Sequence, residues 1–290
     1  MSAITISVKK IQRNDKYKPL LNNIQNEIFL GGDSIQGGVQ INPTKYGKLK
    51  HKGITVKLIG KYICTDVLTN EFIVHQMDIC DSGIFEKITN LSFTFDKPRI
   101  QYPSYHGHKM SLTYYIVVEV KQFALLSPKI SQSYEVIFLL PYKRTNPIPP
   151  ISLSVSQPFI CFDVVTQKGI YSTTDTISGQ IDCKNIQQTG IEKIVMNIVL
   201  TEKIKEKKES RTEESTLIQY ELTDGCPRPG SKIPFRLNLR PYFIWTIKMN
   251  QGSTLSATHR IEIYIHKGGV STLVAQHPVL FYLHYIPWNY

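Results

Sequence analysis

The 290 residues lack the short motifs that mark common enzyme chemistries: no G-x-x-x-x-G-K-[ST], H-E-x-x-H, G-x-S-x-G or G-x-G-x-x-G occurs. A phosphate cradle, a zinc-protease helix and a nucleophile elbow are therefore not built locally. The five cysteines (64, 80, 161, 183 and 226) are an odd set with no C-x-x-C pair, which excludes a cysteine-rich zinc site and a disulfide framework. No heptad repeat is present. The longest apolar runs, such as Val136-Ile137-Phe138-Leu139-Leu140, have strand length, far short of the ~20 residues of a membrane-spanning helix. The opening Met1-Ser2-Ala3-Ile4-Thr5 has no basic-then-apolar layout of a secretion signal, so a cytoplasmic, soluble protein is expected. Gly31-Gly32-Asp33 and Gly37-Gly38 suggest nucleotide binding only until one sees that no helix pattern follows to offer its N-terminus to phosphate.

What is present is β-forming. Sixteen Tyr and twelve Phe, with abundant Val, Ile and Thr, favour strands. Strand-like runs recur at 4–8, 38–42, 54–65, 71–78, 88–96, 110–121 and 133–140. They resume near 152–156, 159–165, 178–184, 191–203, 216–223, 231–239, 257–266 and 272–284. That spacing is the pattern of sandwiches, not of βαβ units. Residues 11–29 break it and read as an insertion, with a short helical turn at Leu20–Ile24.

One phrase occurs twice. Asp33-Ser34-Ile35-Gln36-Gly37 returns 142 residues later as Asp175-Thr176-Ile177-Ser178-Gly179. Each copy is followed by a polar stretch and then by Gly53-Ile54 or Gly190-Ile191, a duplicated β unit with a variable loop. Between the copies, four prolines in residues 141–150 cannot lie inside a sheet. The expected organisation is all-β: a sandwich over residues 1–143, a Pro-rich linker over 144–150 and a second sandwich over 151–290.

The formal charge of +11 is uneven, with 19 Lys+Arg against 11 Asp+Glu in residues 1–150, a net of +8. Its densest cluster holds Lys45, Lys48, Lys50, His51, Lys52, Lys57 and Lys61, with Lys57 expected on the solvated face of its strand. Lys45, Lys48, Lys50 and Lys52 form a candidate membrane-facing patch. No recognition helix or aromatic RNA platform accompanies the charge, so nucleic acid is not an expected partner. Residues 202–214, with five basic and five acidic residues, read as a solvated hairpin tip or a short exposed helix. His106-Gly107-His108 would put two rings on one face of a strand, but no third ligand is identifiable. No catalytic residue, metal or cofactor is expected.

The tandem pair of sandwiches with an early D-x-[IV]-x-G-x-[IV] strand in each resembles the arrestin clan. Within that clan, Tyr220-Glu221-Leu222-Thr223-Asp224-Gly225-Cys226-Pro227-Arg228-Pro229-Gly230-Ser231-Lys232-Ile233-Pro234-Phe235-Arg236-Leu237 is similar to the D-G loop region of the arrestin-like small subunit of retromer. Tyr105-His106-Gly107 and Arg240-Pro241-Tyr242-Phe243-Ile244-Trp245-Thr246 resemble segments of its paralogue in retriever, part of the Commander assembly. Leu222-Thr223 departs from the bulkier apolar pair of the retromer subunit.

The resemblance implies a non-enzymatic subunit, cytoplasmic and peripheral on endosomes, that binds a large α-solenoid through its second sandwich. Cargo tails or sorting-nexin adaptors are implied as further partners. By position it implies a partner-binding role for Tyr220, Leu222, Thr223, Asp224, Gly225, Cys226, Pro227 and Arg228. The same residues also read as a hairpin turn with Gly225 left-handed and prolines closing it. Two other functions fit the fold: a free-standing arrestin-type receptor adaptor, against which the lack of a P-P-x-Y motif counts, and a scaffold subunit that reuses it.

Overall fold

Turn residues separate the alternating apolar runs, and each run becomes a strand. A computed structural model describes residues 4–9, 26–43, 47–64, 68–123, 130–140, 148–158, 160–187, 190–205, 210–242, 244–247 and 255–282. The expected turn at Leu20–Ile24, Lys45, most of the expected linker, the tip at 206–209 and Phe243 lie outside these residues. Contacts divide the chain into two units, Met1–Leu140 and Pro141–Tyr290.

The first unit contains β1 (Ile4–Lys9), β2 (Glu27–Leu30), β3 (Ile35–Ile41), β4 (Leu49–Cys64), β5 (Leu68–Phe85), β6 (Thr89–Phe95), β7 (Tyr105–His106), β8 (Met110–Lys121) and β9 (Ile130–Leu139). Its sheets have the orders β1-β3-β6 and β2-β9-β8-β4-β5, with β7 on β8. The second contains β10 (Ser152–Gln157), β11 (Ile160–Thr166), β12 (Ile170–Ser172), β13 (Thr176–Ile186), β14 (Ile191–Lys205), β15 (Ser210–Asp224), β16 (Lys232–Asn238), β17 (Leu255–Lys267) and β18 (Val270–Tyr282). Its sheets have the orders β10-β11-β13-β16 and β12-β18-β17-β14-β15. Apart from β7 and β10, the two orders superimpose strand for strand, including a parallel edge pair in each, β2 with β9 and β12 with β18. The fold is therefore two tandem arrestin-like β-sandwiches.

The repeated phrase has a physical reason at each position. Asp33 N–H donates to Leu30 O (3.0 Å) while its carboxylate accepts from Leu30 N–H (2.9 Å); Asp175 does the same with Ser172 (2.9 and 3.1 Å). This turn takes the chain from the parallel edge strand of one sheet into the other sheet. Ile35 and Ile177 then enter the two cores fully buried. Gly37 lies opposite Phe93, and Gly179 opposite Phe235. A Cβ on Gly37 would fall 2.2 Å from the Phe93 ring, and one on Gly179 would fall 2.2 Å from Val165 O and 2.7 Å from the Phe235 ring. Each glycine thus makes room for an aromatic ring lying across its backbone.

Alternation does the remaining work. Val39 and Ile41 on β3, Phe95 on β6, and Val56, Leu58, Ile116, Val118 and Phe138 on the larger sheet are buried in the first unit. Phe162, Val164, Ile181, Leu237, Ile194, Met196, Ile198, Ile218, Ile261 and Ile263 belong to one core cluster in the second. Each such side chain contributes roughly 1.5–3 kcal/mol relative to exposure.

Two expectations need correction. Glu27–Phe29, placed in an insertion, form β2 together with Leu30, because their backbone groups complete the parallel edge of the larger sheet. Most of the charged 202–214 segment is neither tip nor helix: β14 runs to Lys205 and β15 starts at Ser210, paired residue for residue. Glu202 is buried there, and Arg260 on β17 holds Glu214 through two guanidinium hydrogen bonds of 2.8 and 2.7 Å. At the end of the expected linker the chain passes close to Gly169, where a Cβ would meet Pro149 O at 1.9 Å.

His259 on β17 is buried edge-on to Phe281 (5.1 Å), and among the described residues its Nε2 has no hydrogen-bond partner. Burial lowers its pKa to about 4.

Two outcomes follow from this packing. Gly179→Ala will lower the unfolding free energy measured in urea by about 1–3 kcal/mol, because the clash includes a backbone oxygen that cannot rotate away. The unfolded chain binds a proton at His259 before the folded chain does, so its contribution is intact above about pH 6.5. Stability is then lost as pH falls, by roughly 3 kcal/mol when pH passes about 4. Chemical unfolding of wild type and His259→Phe across that window will show a shallower slope in the variant.

Candidate functional site

The long hairpin β14–β15 delivers the D-G segment to one end of the second sandwich. β15 ends at Asp224, opposite Lys193, and the chain then crosses to β16 in the other sheet. Gly225 sits at φ +80°, the left-handed region that glycine tolerates without Cβ strain, and its N–H donates to Glu192 O (2.7 Å). Thr223 locks the entry: its Oγ1 accepts from Ile194 N–H (3.2 Å) and donates to Gly225 O (3.1 Å). The exit is tied to β13, where Gly230 N–H donates to Cys183 O and Cys183 N–H donates to Ser231 O (2.9 Å). Ser231 closes the turn on Arg228 O through its N–H (3.1 Å) and its hydroxyl (2.6 Å). The loop is therefore anchored to both sheets, and Pro227 and Pro229 limit its conformations further.

This anchoring sorts the eight expected partner residues. Asp224, Cys226 and Arg228 are exposed and Gly225 is half-buried. Leu222, Thr223 and Pro227 are buried, and Tyr220 packs against the core cluster that includes Leu222. Leu222, Thr223, Pro227 and most of Tyr220 thus hold the loop in place from beneath, while Asp224, Cys226 and Arg228 face solvent.

Two neighbours at this end were not singled out from the sequence. Glu192 accepts Gly269 N–H on Oε1 (3.1 Å), and Gly268 and Gly269, at φ +58° and +75°, form the two-residue turn from β17 to β18. Val270 follows them, 63% exposed. The Gly-Gly pair between two alternating runs was the available signal.

A family model for vacuolar protein sorting-associated protein 26 matches residues 5–264, across both sandwiches. The chain belongs to that family. It is 24% identical over 247 residues to vacuolar protein sorting-associated protein 26B of Arabidopsis thaliana, covering 82% of this chain and 78% of the relative. It is also 24% identical to the 26A protein of the same plant, over 83% and 80% of the two chains. Identity to vacuolar protein sorting-associated protein 26 of Dictyostelium discoideum is 25%, over 73% of this chain and 61% of that one.

Other sequence-predicted features of this family member are redistributed by the fold. His51 leaves the basic cluster: it is buried and stacked on Phe85 at 4.4 Å, and burial lowers its pKa. Lys57 lies on the strand face opposite the buried Val56 and Leu58, as expected, but is only 23% exposed, its ammonium 2.6 Å from Glu119 across the β4–β8 pair. Lys48 pairs with Glu86, whereas Lys50 and Lys52 are exposed. His106 and His108 do not share a strand, because β7 ends at His106 and Gly107 N–H donates to Met110 O (2.8 Å). Tyr105 and His106 therefore form a separate short strand before the long strand β8, and Arg240–Tyr242 form a 3-10 turn. Among the described residues no group of three His, Cys, Asp or Glu could hold a metal, and no helix is long and apolar enough to cross a membrane.

Leu222→Asp will destabilise the second sandwich by several kcal/mol, because it places an unpaired carboxylate in the core. Asp224→Lys and Arg228→Glu will leave the thermal midpoint within a degree or two, as expected of exposed charges. Parallel melts of the three variants check this division.

Proposed function

We propose that this chain is a non-enzymatic, arrestin-like subunit of an endosomal retrieval complex, which docks on a large α-solenoid through the loop end of its second sandwich. The observation that carries the reading is the preformed D-G loop. Its backbone is held on both sheets, while Asp224, Cys226 and Arg228 project to solvent. A loop ordered before binding loses little entropy on docking, and charges of both signs on it select register and partner. Membership in the vacuolar protein sorting-associated protein 26 family supports the sorting role. In this reading the protein is cytoplasmic and peripheral on endosomes, and membrane-protein cargo tails or sorting-nexin adaptors engage the assembled complex.

The finer assignment favours a retriever-type solenoid over a retromer-type one. Its support is the Tyr105-His106-Gly107 and Arg240-Pro241-Tyr242 segments and the Leu222-Thr223 pair. Pull-downs from the parent cell with the full chain will recover a stoichiometric helical-repeat protein. Asp224→Lys with Arg228→Glu will reduce that recovery by about tenfold or more while the melt is unchanged. Unchanged recovery would remove the D-G loop from the interface, and recovery of a retromer-type solenoid would overturn the retriever assignment.

A further inference from the structure

The end of the first sandwich that corresponds to the D-G end of the second has a different surface. Three connections meet there: β3 to β4, β5 to β6, and β8 to β9. Ile84, Ile88 and Phe123 are 51%, 53% and 56% exposed at this end. Lys50 lies directly opposite Ile84 on the adjacent strand. The Lys52 ammonium stands 5.5 Å from the centre of the Phe123 ring. Exposed aliphatic or aromatic side chains occur singly on any protein; here each stands beside a lysine.

The carboxylates at this end do not neutralise it. Glu86 is engaged by Lys48, and Asp78 by Lys121 at 2.9 Å and by the Thr55 hydroxyl at 2.6 Å. Among the described residues Lys50, Lys52 and Lys87 are exposed at this end, as is Asp81, which lies opposite Gly53. Residues 1–150 as a whole carry a net charge of +8, from 19 basic and 11 acidic residues. We propose that this end of the first sandwich, through Lys50, Lys52, Ile84, Ile88 and Phe123, is a peripheral contact for the surface of an anionic lipid bilayer.

The chemistry selects lipid over a folded partner. Long lysine stems place ammonium groups at phosphate level while a phenyl ring and branched aliphatic tips enter the headgroup boundary. Lysines stand directly beside Ile84 and Phe123, unlike the charge-depleted core that protein interfaces use. Two or three exposed lysines near an anionic surface give weak binding alone. Such a contact adds to others in a multivalent coat. The inference does not rest on solenoid docking, which concerns the second sandwich.

Co-sedimentation of the full chain with vesicles of phosphatidylcholine, alone or mixed with phosphatidylserine, tests it. Binding is expected to the mixed vesicles, weakening as salt rises. Lys50→Glu with Lys52→Glu will reduce it about tenfold or more, and Ile84→Ser with Phe123→Ser will reduce it at unchanged salt dependence. All four side chains are exposed, and thermal melts will verify that both variants fold. Equal binding to the two vesicle types, binding to neither, or wild-type binding by both variants would overturn the proposal. So would loss of solenoid recovery in either variant without loss of vesicle binding, which would make this end a protein interface.

Discussion

Both sandwiches depend on how the chain leaves a parallel edge strand and enters the opposite sheet. An aspartate closes the turn by accepting the N–H three residues back, an isoleucine drops into the core, and a glycine lets the next strand's phenylalanine lie across its backbone. The device joins local hydrogen bonding to packing between neighbouring strands. Close packing leaves no room for a Cβ at Gly179, where a carbonyl oxygen forms part of the wall. Apart from β7 and β10, the strand order is the same in both halves.

Identical topology has been given two surfaces. Corresponding connections emerge at corresponding ends, so β5 to β6 in the first unit matches β15 to β16 in the second. In the first the connection is short, and the end carries lysines beside isolated apolar tips. In the second it is a longer loop held by Thr223, Gly225, Gly230 and Ser231, with charges outward and leucine and proline inward. Loops at strand ends accept such divergence because the ladders beneath carry the stability. The Arg260 group shows the complementary case: Arg260, Glu214, Glu262 and Thr201 tie three strands together on a sheet face, which spends the charge on structure.

Much of the fold was legible because its signals are local. Period-two alternation located the strands of β3, β8, β11 and β13 to within a few residues, and Gly225 adopts the left-handed turn its Asp-Gly context implied. The charged 202–214 segment misled because composition there is polar on both faces, yet a hairpin needs only paired backbones to continue. Glu27–Phe29 misled for a related reason: a four-residue edge strand owes its existence to β9, about a hundred residues away in sequence.

The sequence by itself determined the duplication, the β class and the identity of the loop that joins β15 to β16, since repeated phrases, alternation and turn chemistry are all written within a few residues. Only the tertiary structure decided which members of that loop meet solvent. Leu222 and Asp224 both lie in the same β15 run, and burial of one and exposure of the other depends on where the core stops beneath them. The same is true of His51 and Lys57: a strand offers two faces, but a ring across the way or a carboxylate on the neighbouring strand withdraws a basic group from the surface.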